Sequence, residues 1–260
     1  MALKVALSNQ KGGVGKTTSA INLAAALVEI GRRVLVVDLD PQGNASTGLG
    51  VDPEDRDRTS MDLLTGVDDP AELIRGTSID GLSILPASMD LASADIELAD
   101  SRDRNGLLRK ALRHDAFDTF DDILFDCPPS LSVLTLNALV ASDTVLVPLQ
   151  AEFFALEGLS QLLRTVREVR RGANPGLRIE GVLLTMVDAR NRLARQVESD
   201  ARGTLGDLVF ETMIPRNVRI SEAPSFSQSV LDYDTRSRGS KAYRDLAAEI
   251  LRRRKAEVSA

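Results

Sequence analysis

The chain has 260 residues, 43% hydrophobic and 27% charged, a balance that suits a globular protein with one large core or two small ones. No apolar run approaches the ~18 residues of a membrane span, Met1-Ala2-Leu3-Lys4 shows no signal-peptide pattern, and the single Cys127 excludes an internal disulfide and a multi-cysteine metal site, so a reducing, cytoplasmic setting is expected. The net charge of −6 argues against a nucleic-acid partner, but residues up to Thr185 carry 18 Lys and Arg against 27 Asp and Glu, whereas Met186 to Ala260 carries 14 against 11. With 3% aromatics and no Trp, stacking on single strands is not expected, which leaves duplex backbone as the nucleic acid such a charge distribution would suit.

Val5 to Asn9 is an apolar run that predicts a strand, and Ser19 to Ile30 has the pattern of a helix. Between them, Gln10-Lys11-Gly12-Gly13-Val14-Gly15-Lys16-Thr17-Thr18 partly matches the phosphate-binding pattern G-x-x-x-x-G-K-[ST], with Gln10 where the first glycine is expected. Glycines at 12, 13 and 15 let backbone N–H groups turn toward an anion in front of a helix N-terminus. Lys16 would then contact the β- and γ-phosphates, and Thr17 would offer its hydroxyl to Mg²⁺. A plain glycine turn is the bland alternative, and a dinucleotide fingerprint would need glycine at Thr18. Lys11, taken alone, reads equally as a solvated charge.

Val34 to Leu39 predicts the next strand, and Val37-Asp38-Leu39-Asp40-Pro41-Gln42-Gly43-Asn44 places two carboxylates at alternate positions on its end. Beside a triphosphate, such carboxylates hold Mg²⁺ or handle the attacking water; without one, they make an Asp-Pro turn with a helix cap. Asp52 to Asp80 is acidic and turn-rich and is expected to lie over the surface, followed by a short strand at Leu82 to Pro86. His114, the only histidine, falls in a helix-like segment with a surface or capping role. Ile123-Leu124-Phe125-Asp126-Cys127-Pro128-Pro129 is an apolar strand ending in aspartate, a Walker B pattern in which Asp126 would bind Mg²⁺ through water. Cys127 needs no explanation beyond a small buried side chain.

Further strands are predicted at Thr144 to Leu149 and Ile179 to Met186, with a shorter one at Val209 to Ile214. Helices are predicted at Leu131 to Ala141, Leu156 to Arg171, Leu193 to Leu205 and Lys241 to Arg254. This alternation predicts an α/β fold, a mostly parallel central sheet with helices on both faces, built as a single P-loop domain over residues 1–260. Ligands in such sheets lie beyond the carboxyl ends of the strands, where the clusters at 10–18, 38–44 and 126–129 fall.

The loop K-G-G-V-G-K-T-T resembles the deviant Walker A of the ParA/MinD superfamily, and V-D-L-D-P-Q-G-N matches the motif of its ParA/Soj group in full. Val147 to Gly158, Leu184 to Arg190 and Ile214 to Ser225 resemble further signature blocks of chromosomal and plasmid ParA/Soj partition ATPases, so the likeness runs from Lys4 to about Ile250. Family members commonly carry alanine where Cys127 stands.

The resemblance implies an ATP hydrolase with slow intrinsic turnover, using ATP and Mg²⁺. Its nucleotide would be cradled by Lys11, Gly12, Gly13, Val14, Gly15, Lys16, Thr17 and Thr18. Lys11 would cross a sandwich homodimer to the partner's nucleotide, Lys16 would assist, and Asp40 would polarise the attacking water. Thr17, Asp38 and Asp126 would form the metal site, Asp38 by supporting Mg²⁺ or the switch geometry. Pro215 and Asn217 would line the adenine pocket with Met186 near the base; packing at strand ends is the alternative for Pro215 and Met186. Arg190 and Arg219 would bind non-specific double-stranded DNA, with Arg192, Arg195, Arg202 and Arg216 extending the patch, although each alone reads as a solvated charge. A ParB-type partner would stimulate hydrolysis and release DNA, placing the protein in the cytoplasm on the nucleoid.

The alternative is a MinD-like membrane-associated positioning ATPase, but the tail from Ile250 to Ala260 is basic with little to bury, so no stable membrane association is expected. An iron protein of the nitrogenase type would need two cysteines per chain. A non-enzymatic nucleotide sensor fits poorly with Lys11, Lys16, Asp40 and Asp126 all in place. No amino-terminal helix-turn-helix extension, and hence no operator-specific autoregulation, is expected ahead of the first strand.

Overall fold

In the computed structural model, residues 2–152, 155–188 and 190–258 are described; Phe153, Phe154 and Ala189 of the signature blocks, together with Met1, Ser259 and Ala260, lie outside them. The strands β1 (Leu3–Leu7), β2 (Val34–Asp38), β3 (Arg75–Gly76), β4 (Leu82–Leu85), β5 (Asp122–Asp126), β6 (Thr144–Gln150) and β7 (Arg178–Thr185) form one sheet in the order β3-β4-β2-β5-β1-β6-β7. All neighbours pair in parallel except β3, which runs antiparallel to β4. The central strands β2 and β5 are buried along their whole length, which is why they read as unbroken apolar runs.

The helices that shape the site are α1 (Lys16–Glu29), α2 (Asn44–Gly48), α3 (Ser60–Thr65), α4 (Val133–Ala141), α5 (Ala155–Arg171), α6 (Arg192–Leu205), α7 (Val218–Glu222) and α8 (Arg238–Val258). Side chains along β2 alternate between two cores. Val34 and Val36 join Leu23 and Leu27 of α1 and Leu246 of α8, while Leu35 and Val37 join Leu139 of α4, Leu162 of α5 and Val197 of α6. The expected α/β architecture, with helices on both faces of a mostly parallel sheet, is therefore observed.

Two segments differ from expectation. The acidic stretch between Asp52 and Asp80 does more than cross the surface: Met61, Leu63, Leu64 and Leu73 enter the core, and β3 covers the outer edge of β4. Its helix α3 starts in a capping box, where the Thr59 amide donates to Asp62 at 2.7 Å and the Met61 amide to the Thr59 hydroxyl at 3.2 Å. The strand expected at Val209 to Ile214 is replaced by isolated bridges at Val182–Val209 and Val187–Pro215. The cause is a side chain: the Glu249 carboxylate accepts the Glu211 and Thr212 amides, each at 2.8 Å, and takes them out of the ladder.

The end of the sheet remote from the phosphate-binding loop is closed by charge. Asp122, fully buried at the start of β5, pairs with Arg32 and, at 2.9 Å, with Arg254, which also reaches Glu180 at 2.8 Å. Arg253 pairs with Glu249 at 2.6 Å and lies 4.6 Å over the Phe210 ring, and Arg252 pairs with Glu211 at 3.1 Å. Of the basic cluster near the end of the chain, Arg254 thus fastens α8 to the sheet, while Arg252 and Arg253 hold it to the segment of Phe210 and Glu211.

Candidate active site

The loop after β1 is held by Asn9, whose side chain donates to the Pro148 carbonyl at 2.7 Å and accepts the Lys11 amide at 3.1 Å. Gly13 (φ +74°) and Gly15 (φ +86°) take the left-handed conformation that turns the loop into α1, a region costly for residues with a Cβ. No side chain caps α1, so the amides of its first turn face the loop as an anion site. Lys16 is buried, with its ammonium donating to the Lys11 carbonyl at 3.2 Å; burial pushes its pKa down, against the pull of Asp126, Cys127 and Asp40. Lys11 is half in solvent, and its ammonium lies 2.7 Å from Glu152 of the same chain.

Asp38 and Asp126, at the ends of β2 and β5, are register partners. Asp38 accepts the Asp40 amide at 3.1 Å and the Ser46 amide and hydroxyl at 2.9 and 2.7 Å. Burial outweighs these bonds and raises its pKa to about 6. Asp40 is itself largely buried, and its carboxylate accepts the Gln42 amide at 3.0 Å, which closes the turn that leads into α2. Neither oxygen of Asp126 has a hydrogen-bond partner among the described residues. Burial first, then Asp38, drives the Asp126 pKa well up; the Thr17 hydroxyl and Lys16 pull the other way.

An unpartnered, buried carboxylate beside a threonine hydroxyl and an amide-lined loop fits a hydrated divalent cation. Among the described residues no group of three or more His, Cys, Asp or Glu side chains could hold a metal. The Asp126 carboxylate and the Thr17 hydroxyl suit Mg²⁺, which takes one or two carboxylates and completes its shell with water and phosphate. Cys127 is fully buried, burial pushes its thiol far up, and its contact is with the Phe125 carbonyl at 3.8 Å, so it is an inert core residue.

A cavity of about 350 Å³, near the lower end of the roughly 300–1,000 Å³ typical of ligand pockets, opens beside Gly15 and Thr18. Met186, Pro215 and Asn217 line it together, as does Tyr243 from α8. Met186 holds a left-handed φ of +52°, unusual outside glycine, at the exit of β7. Asn217 accepts the Arg219 amide at 2.8 Å and so caps α7.

Arg190 is 91% exposed and pairs with Asp188 at 3.1 Å, and Arg216 also acts on Asp188. Arg192 and Arg195 are exposed on the first turns of α6. Arg219 is paired with Glu222 at 2.9 Å and Asp234 at 3.4 Å, while Arg202 pairs with Glu198 at 3.0 Å farther along α6. His114 caps the turn Asp115–Thr119 by accepting the Ala116 amide at 3.2 Å, as expected.

The sequence reading missed several supports. Ser46 anchors Asp38, the Thr185 hydroxyl donates to the Val14 carbonyl at 2.8 Å, and Tyr243 meets Ser19 at 3.4 Å. Ser46 follows the Asp38 motif closely and was findable there; Thr185 and Tyr243 come from sequence-distant elements and carry no motif.

Residues 2–179 match the model of a family described as an AAA domain. The chain is 50% identical over 246 residues to the sporulation initiation inhibitor protein Soj of Bacillus subtilis, covering 95% of this chain and 97% of that protein. It is 52% identical over 250 residues to the chromosome partitioning protein ParA of Caulobacter vibrioides, covering 96% and 94%. Among solved structures, a Mycobacterium smegmatis protein described as cobyrinic acid a,c-diamide synthase, with bound ADP and magnesium, superposes with a TM-score of 0.87 at 40% identity, covering 99% and 97%.

Proposed function

The chain belongs to the Soj/ParA family of chromosome-partitioning ATPases, and from that premise we propose that it is an ATP- and Mg²⁺-dependent switch that closes as a sandwich dimer on duplex DNA and opens on hydrolysis. The observation that carries the reading is Asp126, a buried carboxylate with no donor among the described residues other than the nearby Thr17 hydroxyl, facing Lys16 of the amide-lined loop. The whole chain, residues 1–260, acts as one ATPase domain.

Residues 11–18 cradle the phosphates, and Met186, Pro215 and Asn217 enclose the adenine. Thr17 and Asp126 hold Mg²⁺, and Asp38 supports that site by anchoring the turn of Asp40. When bound, the ion offsets phosphate charge in the transition state. Asp40 orients the attacking water, Lys16 stabilises charge on the transferred group, and Lys11 does so from the opposite protomer, as an arginine finger would.

Arg190, Arg192, Arg195, Arg216 and Arg219 supply sequence-independent phosphate contacts, doubled by the dimer's two-fold symmetry. A ParB-type partner accelerates an otherwise slow turnover, and the protein works in the cytoplasm on the nucleoid. No helix among the described residues is long and apolar enough to cross a membrane. Arg252, Arg253 and Arg254, the basic residues that a MinD-like anchor would turn to a lipid surface, are engaged in ion pairs within the chain.

The test is binding of an arbitrary-sequence duplex by the Asp40→Ala protein with ATP or ADP across a salt series. Tight, salt-sensitive binding with ATP alone is expected. Equal binding in both states, or none despite ATP uptake, would refute the nucleotide-gated DNA switch.

A further inference from the structure

The turn that carries Asp40 leaves β2 with the Leu39 amide still donating to the Asp126 carbonyl at the end of β5, at 3.0 Å. On its other side it is tied to the end of β4. The Ser60 hydroxyl donates to the Asp38 carbonyl at 2.6 Å and its amide to the Pro86 carbonyl at 2.8 Å, while the Ala87 amide donates to the Ser46 hydroxyl at 3.0 Å.

One side chain spans this assembly. The half-buried guanidinium of Arg56 donates through Nη2 to the Thr47 hydroxyl at 2.7 Å, through Nη2 and Nε to the Val51 carbonyl at 2.8 and 3.2 Å, and through Nη1 to the Ala87 carbonyl at 3.3 Å. It therefore joins α2, the chain leaving α2, and the exit of β4. It also roofs Gly43, the residue between the Asp40 turn and α2: a Cβ on Gly43 would collide with Arg56 Nη1 and stand 3.1 Å from the Ala87 oxygen. Gly43 has φ +61°, so both its conformation and its missing side chain are matched to the arginine above it.

We propose that Arg56 is a positioning residue for hydrolysis, clamping the Asp40 turn against the end of β4 and thereby setting where Asp40 holds the attacking water. This rests on the reading of Asp40 as the water-orienting group. None of Arg56's hydrogen-bond partners belongs to the phosphate-binding loop or to the cavity lined by Met186, Pro215 and Asn217, and the site charge it faces is Asp38, which anchors the Asp40 turn, so the clamp acts on the chemical step more than on nucleotide capture. Acceptors in three directions suit a planar fork of donors, which the point charge of lysine does not reproduce.

The experiment compares full-length Arg56→Ala, Arg56→Lys, Thr47→Val and Asp40→Ala proteins, measuring ATP affinity at equilibrium and single-turnover hydrolysis of labelled ATP with Mg²⁺. Both Arg56 variants are expected to hydrolyse roughly 10- to 100-fold more slowly, with ATP affinity within about twofold of the parent and with millimolar methylguanidinium restoring part of the Arg56→Ala rate. Thr47→Val, which removes one acceptor and leaves the arginine, should fall in between and keeps the test informative if Arg56→Ala does not fold. Parental rates in Arg56→Lys and Thr47→Val, or a loss of ATP affinity that matches the loss of rate, would overturn the clamp. Parental hydrolysis by Asp40→Ala would instead overturn the reading of Asp40, independently of Arg56.

Discussion

Asp38 and Asp126 stand side by side at the ends of β2 and β5, both fully buried, yet both oxygens of Asp38 are hydrogen-bonded while those of Asp126 have no partner among the described residues. Asp38 is spent on structure. Asp126 is the costlier of the two to bury ionised, since burial is its largest influence and drives its pKa well up.

Both carboxyls have folded-state pKa values above their ordinary one, so each binds its proton more tightly in the fold. Their contribution to stability is present below about pH 4, the ordinary carboxylate value, and for Asp38 is lost as pH rises through about 6. Asp126→Asn should therefore stabilise the nucleotide-free protein at pH 8 by roughly 1 to 3 kcal/mol, with less gain at pH 5, and should abolish stabilisation by Mg²⁺-ATP. Thermal unfolding at both pH values checks this. A variant less stable than the parent at pH 8 would show that Asp126 has a partner in the fold.

Lys11 is paired within its own chain, 2.7 Å from Glu152 at an exposed site. Reaching a second protomer's nucleotide requires breaking that pair. An exposed pair is worth about 0.2–1 kcal/mol, and two are broken per dimer, so Glu152→Gln in an Asp40→Ala background should tighten ATP-dependent dimerisation roughly two- to thirtyfold. Sedimentation equilibrium with ATP reads it, and Lys11→Ala should lose the dimer altogether. An unchanged dimer constant in Glu152→Gln would mean that the pair does not restrain Lys11.

Asp188 neutralises Arg190 and also acts on Arg216. Arg190→Ala should weaken duplex binding several-fold and lower the salt slope by about 1 per lost phosphate contact, leaving thermal stability unchanged because Arg190 is 91% exposed. Asp188→Asn should act in the opposite sense. Fluorescence anisotropy on one duplex over a salt series separates the two, and matching slopes in all three proteins would remove Arg190 from the DNA surface.

Glu249 is buried on α8 and holds the Glu211 and Thr212 amides as well as Arg253. Burial alone would raise its pKa, but those amides and Arg253 outweigh it and hold it below the usual 4.5. Its stabilising contribution is thus present above about pH 4.5 and lost as pH falls through the lowered value. Glu249→Ala should cost about 3 kcal/mol and weaken nucleotide binding, because the freed segment leads into Pro215 and Asn217 of the cavity. Denaturant melts and ATP titrations check both effects; intact ATP affinity in a destabilised variant would limit Glu249 to a role in folding.

The parts of the site legible in the sequence are those made from neighbouring residues. The loop from Gln10 to Thr18 carries its own turn chemistry, and the Asp38 and Asp126 motifs end strands whose apolar runs announce them. The site's supports were not legible for the opposite reason. Tyr243 reaches Ser19 across a separation of 224 residues, Glu249 takes the amides of Glu211 and Thr212, and Arg56 lies in an acidic stretch that reads as surface. Such pairings leave no periodicity and no motif.

By itself, the sequence determined the sheet-and-helix architecture and the places where phosphate-binding and acidic residues gather, because alternating apolar runs, glycine turns and strand-end aspartates act over a few residues. Only the tertiary structure decided what each of those residues does with its charge. Asp38 and Asp126 are the same residue type at matching strand ends, and they diverge because Ser46 folds back onto one with its amide and hydroxyl, whereas only the Thr17 hydroxyl and the Lys16 charge act on the other. Val209 to Ile214 likewise has the composition of a strand, yet a buried carboxylate on a distant helix claims two of its amides before a neighbouring strand can. Burial and hydrogen-bond supply are properties of the assembled neighbourhood, and they set both the protonation of the site and the course of the chain around it.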